Sequence, residues 1–342
     1  MRGMGAGVSG KRVRIREVAE RSGMSTGTVS NVLNHPEVVS QATRDHVLAV
    51  IAQMNFVRDA SARHLRVGES QTVGVILRDL SNPFYTELAR GIEDRLAQDD
   101  CLMMVCSSDE DPSREARFVR LFAEQGVRGM LITPFRDTVD QIAMLEALHI
   151  PTVLMDSSSG GTSSVGVDHV AGAEQAVRHL LDQGHRRIGF INGPQELLPC
   201  RERAEGTARA IAGCGLDVDE VLVSTTVSVL NADSGCEGMG RLLDQAPVTA
   251  VFCVNDFVAM GALRALRDRG LTVPTDVAVV GYDDITFAGE MTVPLSSVRQ
   301  PMHDLGWTAV DMLLHPGEAP AHVRFTPHLV VRASSLYERN AA

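Results

Sequence analysis

No stretch of the 342-residue sequence approaches 18 uninterrupted apolar residues, which excludes a membrane-spanning helix of ordinary length. Met1 to Gly10 is glycine-rich and lacks an apolar segment of signal-peptide length, so the expected location is the cytoplasm. The six cysteines (101, 106, 200, 214, 236 and 253) form no CxxC pair and have no partnering His spacing, which points to buried or idle thiols in a reducing compartment rather than to a metal or redox site. The 11 histidines are equally scattered. There is no nucleophile elbow and no P-loop, and Asp283-Asp284 is a pair of adjacent carboxylates without an obvious partner. Gly5-Ala6-Gly7-Val8-Ser9-Gly10 matches GxGxxG, but only four residues precede it and the dinucleotide fingerprint needs a strand there. It is read as part of a flexible tail over residues 1–12. These absences argue against an enzyme and against a cofactor or metal.

What the chain does have is an uneven distribution of charge. The total is −11, yet residues 1–66 carry ten Lys/Arg against five acids, which leaves −16 on the remainder. A small basic module on a large acidic body can neutralise phosphates locally while the body resists non-specific condensation on nucleic acid. The length leaves room for two or three domains.

Within the basic module, Ile15 to Leu33 (IREVAERSGMSTGTVSNVL) reads as two short helices around a tight turn. Ile15, Val18, Ala19 and Ser22 recur at helical spacing on one face, and Gly23 permits the turn. Ser25 is placed as the N-cap of the second helix, whose Val29, Val32 and Leu33 return to the same core. Thr26, Gly27, Ser30 and Asn31 share its opposite side. A bare glycine and short polar side chains at a helix start suit a second helix that enters the major groove. Two amphipathic helices about a glycine also occur in helical domains that bind nothing, and the basic excess favours the DNA reading. Asn34-His35-Pro36 breaks the chain, after which Ser40 starts a third helix with Val47, Leu48, Ile51 and Met54 as its apolar positions. Residues 59–66 (DASARHLR) are helix-prone but too short to stand alone, and Val67-Gly68-Glu69-Ser70 follows as a linker.

From Val73 the pattern changes to short apolar runs alternating with amphipathic helices. Runs at 73–77, 102–106, 129–132, 152–155 and 165–167 form one series, and runs at 187–191, 221–223, 250–254, 278–281 and 296–299 form a second. This is βαβ architecture with parallel sheets in two lobes, and it places a ligand in the crevice at the carboxyl ends of the strands.

Over Arg14 to about Tyr337 the chain resembles the lactose-repressor/galactose-repressor family of bacterial transcription regulators. The resemblance is carried by REVAERSGMSTGTVSNVLN (16–34), ARHLRVGESQTVGVIL (62–77), DLSNPFYTELARGIED (79–94), HLLDQGHRRIGFINGP (179–194), FCVNDFVAMGALRALRDRGLTVPTDVAVVGYDD (252–284) and SSVRQP (296–301). It implies an N-terminal all-α helix-turn-helix domain plus an α/β two-lobed, doubly wound effector domain like the periplasmic binding proteins. The implied division is a helix-turn-helix domain over 13–58, a hinge helix and linker over 59–70, and an effector and dimerisation domain over 71–342. Three crossings of the chain would make the lobes discontinuous, with one lobe at about 71–169 and 300–326 and the other at about 170–299 and 327–342.

The family's function would make the chain a homodimeric repressor on a palindromic double-stranded operator, controlled by a small sugar-like effector. Its DNA-contacting residues would fall on Arg16, Ser25, Thr26, Gly27, Thr28 and Ser30, with Asn31 and Asn34 further along the recognition helix. Ala62, Arg63 and Leu65 would join them from a hinge that becomes helical on DNA and wedges Leu65 into the minor groove. Most relatives carry Arg after the TVS triplet; Asn31 there favours adenine over guanine. The effector pocket would fall on Asn82, Phe84, Tyr85 and Asp156 from one lobe, on Arg203, Asn255 and Asp283 from the other, and on Gln300. Leu197, Pro199 and Leu230 stand where purine-binding relatives carry Arg, Thr and Phe, which argues for a sugar over a purine.

Overall fold

The computed structural model describes residues 13–56, 70–136, 138–157 and 161–336. Ala62, Arg63 and Leu65, with the hinge helix and the tail, lie outside the described residues. Contacts divide the chain into two compact units, one ending at Glu69 and one beginning at Ser70.

The first unit contains α1 (Ile15–Ser22), α2 (Thr26–Asn34) and α3 (Gln41–Gln53). Gly23 closes α1 at φ 69°, a left-handed angle that a side chain would strain. The Ser25 Oγ accepts from the Thr28 N–H at 3.0 Å, and Ser40 caps α3 in the same way at 3.3 Å. Val18, Ala19, Val29, Val32, Val47 and Val50 form the core. One expectation is corrected here, since Leu48 is 44% exposed and Val50 is buried. The inward stripe of α3 is 47, 50, 51 and 54, which follows the 3.6-residue period more closely than a stripe through 48 would.

The second unit holds two parallel sheets. The first is built from β1 (Thr72–Leu77), β2 (Leu102–Ser107), β3 (Gly129–Ile132), β4 (Thr152–Met155), β5 (Ser164–Val167) and β11 (His322–Phe325), in the order β11-β5-β4-β3-β1-β2. The second is built from β6 (Ile188–Asn192), β7 (Leu222–Thr226), β8 (Ala250–Cys253), β9 (Ala278–Asp283), β10 (Ser296–Arg299) and β12 (His328–Val330), in the order β12-β10-β9-β8-β6-β7. Only β12 runs antiparallel. The chain therefore passes between sheets after β5, after β10 and between β11 and β12. Each sheet has a hydrophobic layer on both faces, which is why the central strands read as unbroken apolar runs.

The helices of this unit pack on the faces of the two sheets. They are α4 (Pro83–Leu96), α5 (Pro112–Glu124), α7 (His169–Asp182), α8 (Leu198–Gly213), α11 (Asp256–Asp268) and α12 (Met302–Leu314), with α6 (Val139–Ala147), α9 (Val218–Val221) and α10 (Ala232–Gln245) completing the layers. α4 lies directly on α12. A Cβ at Gly91 would sit 2.0 Å from the His303 carbonyl oxygen and one at Gly306 would sit 2.2 Å from that of Leu88, so glycine is required at this crossing. No helix among the described residues is long and apolar enough to cross a membrane.

Candidate functional site

Between the two sheets, at the carboxyl ends of their strands, is a cavity of about 280 Å³. All eight residues expected at an effector pocket line it: Asn82, Phe84, Tyr85 and Asp156 from one side, Arg203, Asn255 and Asp283 from the other, and Gln300 from the second crossing. Leu197, Pro199 and Leu230 line it too. Asn82 and Asn255 owe their positions to helix capping. Their Oδ1 atoms accept from Phe84 N–H at 3.0 Å and Val258 N–H at 2.9 Å, which turns each amide toward the start of its helix. Phe84 and Tyr85 follow in the first turn of α4 and meet edge to face, with centroids 4.9 Å apart.

The floor of the cavity is a buried charge network that joins the sheets. Arg78 Nη2 donates to Asp156 Oδ2 at 2.6 Å, and both side chains are about 95% buried, at 4% and 5% exposure. The other oxygen of Asp156 accepts from His169 Nε2 at 2.5 Å. Burial holds the His169 pKa below its ordinary value, so the imidazole is neutral at pH 7. Its Nδ1 faces the Tyr282 hydroxyl at 3.2 Å and the Arg203 guanidinium at 3.3 Å, and arginine can only donate, which fixes the proton on Nε2. Burial alone would raise Asp156, but His169, Arg78 and Arg203 outweigh it and hold the carboxyl well below the usual range. Arg203 also donates to the Val254 carbonyl, lies 3.6 Å over the Tyr282 ring and stands 3.7 Å from Asp283.

Asp156 and Asp283 both have positive φ, 54° and 106°, which is a strained backbone for non-glycine residues. Each is held there by its partners, Gln300 Nε2 donating to Asp283 at 2.7 Å. The expectation that Asp283-Asp284 lacks a partner is therefore corrected. Asp284 sits between Arg299 Nε and Arg332 Nη1, each at 2.6 Å, and both arginines lie well downstream in sequence. Sequence reasoning also missed Arg78, His169 and Glu110. Arg78 has a sequence signal of its own, a charge directly after a buried parallel strand, whereas Asp156 is implied by the family resemblance.

Burial, opposed by Arg203 and Gln300, pushes Asp283 up to about 6. The folded chain thus keeps a proton that the unfolded chain, with an ordinary value near 3.8, has already released. The contribution of this group to stability is present below about pH 4, falls as pH rises through about 6 and is constant above. In denaturant titrations the unfolding free energy of the parent minus that of Asp283→Asn should therefore decline by up to about 3 kcal/mol across that window, at roughly 1.4 kcal/mol per pH unit. A pH-independent difference would contradict this.

On the helical unit, Ser25, Thr26, Gly27, Asn31 and Asn34 are exposed, as is Arg16, which pairs with Glu20 at 3.3 Å; Thr28 and Ser30 are half-buried. Asn31 makes no side-chain hydrogen bond among the described residues, whereas Asn34 Nδ2 donates to Ser30 Oγ at 3.1 Å. Gly27 is informative because the fold does not need it. Its φ is ordinary for a helix, and a Cβ there would meet only Ser25 Oγ at an unstrained 3.6 Å. Glycine in a helix costs about 0.5–1 kcal/mol relative to alanine. Gly27→Ala should therefore raise the stability of this unit by up to that amount, and if Gly27 faces DNA as the resemblance implies, specific DNA binding should weaken. If affinity is unchanged, the backbone at Gly27 does not approach DNA.

Residues 14–59 match the family described as bacterial regulatory proteins, lacI family, and residues 177–335 match a periplasmic binding protein-like domain. The chain is 33% identical over 335 residues to the ribose operon repressor of Escherichia coli (strain K12), covering 94% of this chain and 99% of that protein. Among solved structures, the Lac repressor dimer bound to operator and the anti-inducer ONPF aligns with TM-score 0.84 at 27% identity, covering 96% of this chain and 100% of that one. The transcriptional regulator CelR-cellobiose complex aligns with TM-score 0.71 at 31% identity, covering 95% and 100%. A two-sheet effector unit behind a helix-turn-helix unit defines a ligand-responsive DNA-binding regulator. The chain belongs to the lacI family of bacterial regulatory proteins.

Proposed function

We propose that this protein is a repressor that binds a palindromic operator as a dimer, in the cytoplasm, and that a sugar-like polyol in the cavity changes its hold on DNA. The observation that carries the ligand class is a set of buried polar atoms without partners. Arg78 Nε, Arg203 Nε and Gln300 Oε1, all on cavity-lining residues, have none among the described residues. Buried polar atoms are almost always paired, so these two donors and one acceptor are matched to a ligand that both accepts and donates, as vicinal hydroxyls do. Phe84 and Tyr85 supply an apolar face for a ring. Two similar proteins agree with this class, the transcriptional regulator CelR in its complex with cellobiose and the LacI family transcriptional regulator from Enterococcus faecium with bound ribose. The buried carboxylates are held against arginines and amides, an arrangement for binding rather than for catalysis, and we assign no enzymatic activity.

On the DNA side, the unspent Asn31 amide is read as an adenine contact flanked by Thr26, Gly27 and Ser30, with Arg16, Ser25, Thr28 and Asn34 toward the backbone. Selection of binding sites from random duplexes, with the parent chain and with Asn31→Arg, tests this. A palindrome whose preference changes at one symmetric base-pair position supports the reading. An unchanged motif with uniformly altered affinity assigns Asn31 to phosphate instead.

A further inference from the structure

The charges around the cavity do not balance. Five carboxylates (Asp79, Asp109, Glu110, Asp156, Asp283) and two guanidiniums (Arg78, Arg203) line it. Each guanidinium is already charge-paired, Arg78 with Asp156 at 2.6 Å and Arg203 with Asp283 at 3.7 Å, which leaves an unpartnered Nε–H on each but no unneutralised positive charge. Asp109 turns to Arg114, outside the cavity lining. Asp79 accepts from the Ser81 N–H at 2.8 Å. Glu110 has no hydrogen-bond donor among the described residues, although it is half-buried.

The backbone that presents Glu110 is strained and clamped. Asp109 and Glu110 are consecutive non-glycine residues in the left-handed region, at φ 51° and 58°, in the loop between β2 and α5. Such conformations persist only where surrounding contacts over-determine them. Here Arg114 grips Asp109 and donates to the Ser107 carbonyl at 3.2 Å, and the Ser107 hydroxyl reaches Asp109 at 2.5 Å. These contacts hold the loop through Asp109 and Ser107, and none of them uses the Glu110 side chain. Burial pushes the Glu110 carboxyl above its ordinary value, with Arg78 opposing and Asp79 reinforcing, as expected for an acid that lacks a partner until one arrives.

We propose that Glu110 determines the charge class of the effector, accepting a hydrogen bond from a hydroxyl of an uncharged, unphosphorylated polyol and repelling ligands that carry phosphate or carboxylate. This rests on the reading of the cavity as a polyol site. An anionic ligand would find only guanidiniums whose charge is already balanced by Asp156 and Asp283 and would be brought against the Asp79 and Glu110 carboxylates, whereas a hydroxyl could use the free Nε–H groups and relieve Glu110 at no such cost.

The test is a thermal-shift and calorimetric titration of the full chain with matched pairs: aldopentoses, aldohexoses and disaccharides, each beside its phosphate ester or aldonic acid. At least one uncharged sugar should bind, its anionic counterpart should bind at least about tenfold more weakly, and Glu110→Gln, which keeps shape and removes charge, should narrow that ratio severalfold. An anionic member that binds as tightly as its uncharged parent, or a ratio unmoved by Glu110→Gln, overturns the role of Glu110 alone. A panel in which no sugar of either charge binds overturns the polyol reading, and the role of Glu110 falls with it.

Discussion

Asp156→Ala should cost the effector unit about 3–5 kcal/mol, the penalty for leaving one member of a buried ion pair uncompensated. Arg78 has no second carboxylate at hydrogen-bond distance among the described residues, and His169 Nε2 would lose its only acceptor. The loss should be visible as a drop in the denaturation midpoint of the effector unit. The compensating variant separates stability from binding. Arg78→Met combined with Asp156→Leu replaces the pair by apolar groups, which in buried pairs is often neutral or stabilising, so it should recover most of the lost stability apart from the His169 hydrogen bond. It should still bind sugar much more weakly than the parent, because the Arg78 Nε donor and the Asp156 carboxylate at the floor of the cavity are gone. If Asp156→Ala melted like the parent, the network would not be holding the two sheets together.

Arg203→Lys should remove the response to effector while DNA affinity in its absence stays near the parent value. Lysine keeps a positive charge near Asp283, so no carboxylate is left unopposed, but a single ammonium cannot stack on Tyr282, reach the Val254 carbonyl and present a further N–H to a ligand at once. The residues proposed to face DNA belong to the other compact unit and are untouched. Coupling between two ligands on one protein is typically worth a factor of roughly 5–150, and in this variant the ratio of DNA affinities with and without sugar should fall close to one. The check is a DNA-binding titration at saturating sugar. A retained response would remove Arg203 from the pocket.

The parts of this fold that were legible in the sequence were those whose physics is local. Capping serines, the glycine turn and unbroken apolar runs mark the helical unit and ten of the strands in the sequence itself. β11 and β12 were not read as strands because they are short, half-exposed edges with no apolar run to mark them. Leu48 was misplaced because apolar character alone cannot tell a helix's inner stripe from an adjacent exposed position. Every expected effector residue lines the cavity, yet sequence did not reveal what holds them. Asp283 depends on Arg203 and Gln300, and Asp284 on Arg299 and Arg332, through contacts that only the folded topology creates. His169 was passed over as one of many scattered histidines, and nothing in the string DEDP indicates that Glu110 is left without a partner.

If the proposed function holds, one chain reads a DNA sequence and alters that reading when a polyol occupies its cavity. The direct measurement is fluorescence anisotropy of the parent chain on the duplex recovered by site selection, titrated with and without the sugar that raises its melting temperature. Specific binding to a palindrome with a dimeric stoichiometry is expected, with a several-fold shift in Kd on adding the sugar. Tight sugar binding that leaves the DNA affinity unchanged, or the absence of any preferred duplex, would contradict it.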